Sequence, residues 1–279
     1  MVTSDGYDNL NPAWSPDGKT LVYVSNRANA WNLWAIDLQT QAVRALTSGA
    51  GEDRFPAFSP DGQRLAFSSR RSGNWDIWVM NVDGTELTQL TTHRMDDLAP
   101  SWSRDGARIA FDSYRDFEYS IYVMNADGTN QRKLTTGGNG DWGAAFDASG
   151  ETVVFASTRT GNGDLYAIDT AGDGPYRRLT DTEGEREMIP AFNPDGSKIA
   201  FIAERGGRDI WVMNPDGTGQ VRVTRNLSGA WQPRFDVDSE LYAAIGYFTL
   251  AWSPDGTSIA YTHVDRSGKG QIAILPLAR

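Results

Sequence analysis

Phe55-Pro56-Ala57-Phe58-Ser59-Pro60-Asp61-Gly62 is the clearest copy of a stretch that recurs along the whole chain. It returns as Asn11-Pro12-Ala13-Trp14-Ser15-Pro16-Asp17-Gly18, as Ala99-Pro100-Ser101-Trp102-Ser103-Arg104-Asp105-Gly106 and as Ile189-Pro190-Ala191-Phe192-Asn193-Pro194-Asp195-Gly196. Gly143-Ala144-Ala145-Phe146-Asp147-Ala148-Ser149-Gly150 is a worn copy, and Leu250-Ala251-Trp252-Ser253-Pro254-Asp255-Gly256 is the last. The turn glycines step by 44, 44, 44, 46 and 60 residues. A period in the mid-forties marks a propeller array with one four-stranded sheet per repeat. Six copies predict an all-β, six-bladed propeller of antiparallel blades, a single domain over residues 1–279. The repeats run roughly over 8–47, 52–91, 96–135, 140–180, 185–224 and 229–277, with 1–5 as a closing strand.

One repeat predicts the blade. Strand a is Pro56 to Phe58, followed by the Ser-Pro-Asp-Gly turn, in which proline presets φ, Asp bonds back to the backbone and Gly takes the left-handed position. Strand b is Arg64 to Ser69, strand c is Trp75 to Asn81, apolar on both faces, and strand d is Thr88 to Thr91. Trp34, Trp78, Tyr122, Tyr166 and Trp211 keep one phase along strand c and read as blade core. After Gln271 to Leu275, a strand c, no strand d follows. Val2-Thr3 matches the end of a strand d, so the N-terminus is expected to supply the outer strand of the last blade and close the ring.

Composition removes several function classes. The net charge of −10 argues against nucleic acid, which needs clustered Lys and Arg. Cysteine is absent, which excludes disulfides, thiolate metal sites and a cysteine nucleophile. No apolar run approaches the ~18 residues of a membrane-spanning helix, so no membrane insertion is expected. Met1 to Gly6 lacks the basic and apolar regions of a signal peptide, which fits either a cytosolic chain or a mature or recombinant form. A monomer is expected.

The repeated Pro-Ala-(Trp/Phe)-Ser-Pro-Asp-Gly, the later Asp-Ile-Trp-Val-Met-Asn, the Asp-Gly turn and the closing Leu-Thr resemble TolB-type, WD-like propeller repeats over about Thr3 to Leu277. The resemblance implies a bacterial periplasmic protein of the Tol-Pal envelope system, whose propeller binds a peptidoglycan-associated lipoprotein over its channel mouth. The separate N-terminal α/β domain of TolB is not present in this sequence. Similar propellers cap serine peptidases of the prolyl oligopeptidase type, but no Gly-x-Ser-x-Gly elbow occurs here. Fold alone does not decide function.

Candidate site residues lie on the rim opposite the tight turns. Asp8-Asn9, Glu52-Asp53, Asp96-Asp97, Gly140-Asp141 and Arg186-Glu187 each precede strand a and are expected to ring the channel mouth. Clustered carboxylates need something positive among them or a hydrogen-bonded cap. A Ca2+ ion held by Asp8, Asp53, Asp97 and Asp141, a basic partner segment, or backbone N–H groups at the start of strand a would each serve. Arg27, Arg70, Arg115, Arg159 and Arg205 follow strand b. They are expected to brace the loops, as Arg70 with Asp76, Arg159 with Asp164 and Arg205 with Asp209, or to form a ring for a carboxylate- or phosphate-bearing ligand. The sixth repeat carries an insert, Asp238 to Phe248, in which Asp238 or Ser239 could cap a short helix. Either it is functional or it plugs the channel. Trp231, Tyr247 and Phe248, with Phe55 and Trp142, would make an aromatic wall suited to a peptide or a sugar ring.

The reading that follows is a non-enzymatic module gripping a protein or peptide, such as an envelope lipoprotein, at an acidic and aromatic channel mouth through Asp53, Asp97, Asp141, Glu187 and that aromatic wall. No cofactor is required by it. The alternatives are a carbohydrate-binding or carbohydrate-active propeller using paired carboxylates, and a cation-binding scaffold or a fragment of a larger protein. Only His93 and His263 exist, too few for a lyase site built from several histidines.

Overall fold

The computed structural model describes residues 1–49, 51–137, 140–172, 174–225, 227 and 249–277. Five antiparallel four-stranded sheets in the sequential order a-b-c-d and one three-stranded sheet in the order a-b-c are arranged in a ring with the a strands innermost. In blade 2 the strands are Asp53–Phe58, Arg64–Ser69, Asp76–Asn81 and Thr88–Gln89. Strand b is buried almost throughout because each blade face is covered by a neighbouring blade. In blades 1 to 5 one large ring sits fully buried at the centre, Tyr23, Phe67, Phe111, Phe155 and Phe201; its blade 6 counterpart, Tyr261, is half-buried. Tyr122 and Tyr166 on strand c are buried, as expected of core, whereas Trp34, Trp78 and Trp211 are half-buried.

Strand a is longer than the sequence pattern predicts and starts at the acidic residue. Asp53 pairs with Ser69 and Arg54 with Ser68, then the register shifts before Ala57 pairs with Ala66. The shift is a bulge that lets the strand run past Pro56, which has no N–H for the ladder. Its first residue is left-handed at Asn11, Phe55, Ala99 and Ile189, with φ of 50 to 55°, and at Gly143. For non-glycine residues this costs about 1–2 kcal/mol each. The neighbouring blade compensates at three bulges. Ala99 N–H donates to Ser68 Oγ at 3.0 Å, Asn11 N–H to Thr262 Oγ1 at 3.3 Å, and Gly143 N–H to both oxygens of Asp112 at 3.0 and 2.9 Å.

The Ser-Pro-Asp-Gly turns are as self-contained as expected. Ser59 Oγ donates to Asp61 at 2.5 Å and accepts the Arg64 N–H at 2.9 Å, while Gly62 has φ of 70°. The worn copy keeps both interactions by exchanging the residues: Ser149 donates to Asp147, and Asp147 accepts the Thr152 N–H at 3.2 Å.

The ring closes as the sequence predicts. In blades 1 to 3, N–H groups of the Leu-Thr pair both donate to one strand c carbonyl, as Leu90 and Thr91 do to Ile77 at 2.8 and 3.3 Å. Val2 and Thr3 repeat this on Ile272 at 2.7 and 3.3 Å. The threonine hydroxyl completes the lock: Thr91 Oγ1 accepts the Ile77 N–H and Thr3 Oγ1 accepts the Ile272 N–H, both at 2.9 Å.

Two predictions follow from this scaffold. Thr3→Val leaves the Ile272 N–H and the buried Gln271 side chain short of a partner. It lowers unfolding free energy by about 1–3 kcal/mol in urea melts, while Thr3→Ser stays near the parent. The second concerns acid. The carboxyls of Asp17, Asp61, Asp105, Asp195 and Asp255 are held below the usual range, chiefly by the hydroxyls of Ser15, Ser59, Ser103, Ser197 and Ser253. A depressed carboxyl contributes stability above its unfolded value and loses it as pH falls through the folded one. Asp76 and Glu187, raised by burial, run the opposite way and blunt the onset. The melting temperature is expected to hold between about pH 7 and 5 and to drop below about pH 4.

Candidate functional site

At the rim carrying the b–c loops, one arrangement recurs in five blades. An arginine two residues beyond strand b, or one in blade 5, turns back over the blade. Its guanidinium lies 4.6 to 5.9 Å from the centroids of a strand b ring and a strand c ring. The stacked pairs are Tyr23 and Trp34 for Arg27, Phe67 and Trp78 for Arg71, Phe111 and Tyr122 for Arg115, Phe155 and Tyr166 for Arg159, and Phe201 and Trp211 for Arg205. Tyr176 adds a third ring on Arg159 at 3.6 Å. In blades 2 to 5 the guanidinium meets the first carboxylate of strand a, 18 residues earlier: Asp53, Asp97, Asp141 or Glu187, at 2.8 to 2.9 Å. Ser69 and Ser157, ending strand b, accept the Arg71 and Arg159 Nε–H at 2.8 and 2.9 Å.

The acidic ring of the sequence reading is therefore not an open, charged mouth. Asp53, Asp97, Asp141 and Glu187 are 0 to 1% exposed and each has its own cation. Their backbone N–H groups bond the previous blade, as Asp53 does to the Trp31 carbonyl at 2.8 Å. Burial pushes the Glu187 carboxyl up, against the pull of Arg205. The other member of two pairs caps a neighbouring strand c rather than the start of strand a: Asp8 accepts the Gly270 N–H and Asp96 the Trp75 N–H, at 3.0 and 3.1 Å.

The expected arginine pairs with strand c are replaced. Arg159 and Arg205 turn to strand a. Asp164 pairs instead with Arg178, and Asp209 with Arg222, both on strand d. In blade 2 the clamp is Arg71; Arg70 lies against the Trp75 ring, and Asp76 is held by Ser72, Gln89 and Thr91. Asp8, Asp53, Asp97 and Asp141 do not fit a calcium site, because each is matched by Lys269, Arg71, Arg115 or Arg159. Among the described residues no three His, Cys, Asp or Glu converge on one point. His93 accepts the Met95 N–H through Nδ1 at 3.1 Å, a loop-bracing role.

Of the expected aromatic wall, Trp142 is buried at 4% exposure within the core, and Phe55 sits half-buried on its bulge beside Trp75, Leu98 and Tyr119. Trp231, Tyr247, Phe248 and the rest of the insert lie outside the described residues. The most exposed aromatic among the described residues, which the sequence reading missed, is Phe117, in the b–c loop of blade 3. It is 69% exposed and left-handed, with φ of 61°. At the same loop position blades 1, 2, 4 and 6 carry Asn29, Gly73, Gly161 and Gly268. Tyr114 and Tyr119, at the two ends of this loop, pack with ring centroids 4.9 Å apart. Asp116 and Glu118 flank it and share Lys133, at 2.8 and 3.9 Å. On the opposite rim, clefts of about 460 and 260 Å³ open between blades 1 and 2 and between blades 4 and 5. They are lined by equivalent residues of the repeat, such as Phe58 and Phe192, and so belong to the scaffold.

Comparison with known proteins agrees with this fold. The TolB beta propeller domain profile matches residues 1–152, and that of the dipeptidyl peptidase IV N-terminal region matches residues 184–276. No curated protein matches the chain. Among solved structures, TolB from Acinetobacter baumannii is 26% identical with a TM-score of 0.68, over 78% of this chain and 55% of its own. This chain thus spans little more than half of that protein. A TolB structure from Agrobacterium tumefaciens superposes with a TM-score of 0.75 at 20% identity, covering 99% of this chain and 93% of its own. Oligogalacturonate lyase from Vibrio parahaemolyticus superposes with a TM-score of 0.68 at 13% identity, covering 100% and 93%, a likeness of fold.

The clamp predicts a strongly unequal mutant cycle. Arg115→Met strands the buried Asp97 carboxylate and destabilises by about 3–5 kcal/mol in urea unfolding. Adding Asp97→Leu removes the stranded charge and recovers most of that loss.

Proposed function

We propose that this chain, which belongs to the TolB beta propeller domain family, is a non-enzymatic binding module that grips a protein partner on the rim carrying the b–c loops. The observation that carries this reading is Phe117. A bulky residue in the left-handed region is strained by about 1–3 kcal/mol, and at Phe117 no strand-ladder bulge imposes it, as one does at Phe55 and Ile189. Glycine at three equivalent positions shows what the scaffold alone prefers. A protruding ring offers no cavity to a small ligand, but it fits a pocket on a folded partner, where aromatic anchors dominate binding energy. Asp116 and Glu118 beside it favour a partner pocket with a basic edge.

The rim carboxylates take a different part from the one first expected. Asp53, Asp97, Asp141 and Glu187 support the rim through their arginines rather than touching the partner. The family resemblance favours an extracytoplasmic setting and an envelope lipoprotein as the partner. The test is calorimetric titration of purified peptidoglycan-associated lipoprotein into the chain and into Phe117→Gly. Phe117→Gly is expected to bind at least about 30-fold more weakly, the scale of an interface anchor, and to melt no lower than the parent because the strain is relieved. Undiminished binding by Phe117→Gly, or no binding by the parent, overturns the reading.

A further inference from the structure

Blade 1 departs from the clamp in one respect. Asn9 stands where blades 2 to 5 have a buried carboxylate, so Arg27 has no anion within its own blade. Its guanidinium is otherwise built like the others, stacked on Tyr23 and Trp34 and bonded to Ser25 at 3.1 Å. The missing charge comes from Asp5 in the N-terminal segment. Asp5 Oδ2 meets Arg27 Nη2 at 2.6 Å, and Asp5 Oδ1 accepts the Asn9 amide N–H at 2.8 Å. The Asp5 side chain is 34% exposed, whereas the four resident carboxylates are sealed.

Two residues upstream, the same segment lies on the edge of blade 6. Val2 and Thr3 donate their N–H groups to the Ile272 carbonyl. The Thr3 hydroxyl donates to Gln271 Oε1 at 2.9 Å and accepts the Ile272 N–H at 2.9 Å. Gln271 is buried, its amide tied to the Tyr7 carbonyl at 2.8 Å. The receiving groups, Ile272, Gln271, Asn9 and Arg27, belong to blades 6 and 1. Together they read a backbone edge, a hydroxyl and, two residues later, a carboxylate.

We propose that the edge of blade 6 and Arg27 form a peptide-recognition site for an extended segment of the pattern aliphatic-Thr-x-Asp. The chain's own Val2 to Asp5 is its resident occupant, and a partner peptide of that pattern exchanges into its place by strand addition. The site is separate from the Phe117 rim contact and does not depend on it. The resident segment competes at the high effective concentration of a short tether. Exchange is therefore weak in the parent chain and strengthens when the resident carboxylate is removed.

The probe is a fluorescein-labelled peptide Met-Val-Thr-Ser-Asp-Gly-Tyr, titrated into the full chain and into Asp5→Asn, with anisotropy as the readout. The peptide is expected to bind Asp5→Asn about tenfold tighter than the parent chain. Peptides carrying Thr3→Val or Asp5→Asn lose about tenfold on the same variant, the scale of one charge-assisted or buried hydrogen bond. Equal affinity for all three peptides, or binding to neither chain, overturns the proposal. A second readout needs no added probe. Hydrogen exchange at the Ile272 amide becomes faster in Asp5→Asn than at the Ile77 amide, its counterpart under Thr91, and the peptide slows it again. An Ile272 amide that remains as protected as Ile77 shows a fixed segment and contradicts exchange.

Discussion

The constraint on which this structure rests is the burial of a carboxylate at the first position of the inner strand in four blades, 2 to 5. Taken out of water alone, such a charge is prohibitive, and the fold answers it with an arginine held between two aromatic rings. That arrangement ties strand a to the end of strand b and strand b to strand c in one contact. It also explains why the rings of strand c keep one phase: they are the floor on which the guanidinium lies. With the rim charges committed to the scaffold, the chemistry left for recognition is in the loops and at the seam.

Much of the fold was legible because its turns are local. Ser59, Pro60, Asp61 and Gly62 carry their own hydrogen bonds, so their recurrence counts blades directly. The exchange of Ser and Asp at positions 147 and 149 shows that even the worn copy obeys the same geometry. The seam was legible for the same reason, since Val2-Thr3 repeats a pair whose bonds are all to one facing strand.

The site was less legible because its pairs are not neighbours in sequence. Arg159 and Asp164 lie close along the chain, yet the register sets Asp141 opposite Ser157, so an arginine just beyond Ser157 meets Asp141 first. The signal was present as a constant separation of 18 residues, from Asn9 and Arg27 through Glu187 and Arg205. The bulge at Phe55 left no such trace, because a left-handed Phe or Ile contradicts local preference and is imposed by the ladder on both sides. Phe117 is the reverse case: its oddness appears only when the equivalent loops are aligned and glycine is found in its place.

Where the repeat is strict, residues serve the ring, and where it breaks, at Asn9, Phe117 and Gln271, side chains become available to something else. That division stands or falls with the role of the rim carboxylates. The most direct measurement is the thermal melt of the triple variant Asp53→Asn, Asp97→Asn, Asp141→Asn at neutral pH. If the carboxylates are the counterions of these half-buried arginines, the melting temperature falls by many degrees, because three cations are stranded. If they instead form a repelling acidic ring awaiting a ligand, neutralising them relieves that repulsion and the melting temperature rises, which would contradict the account.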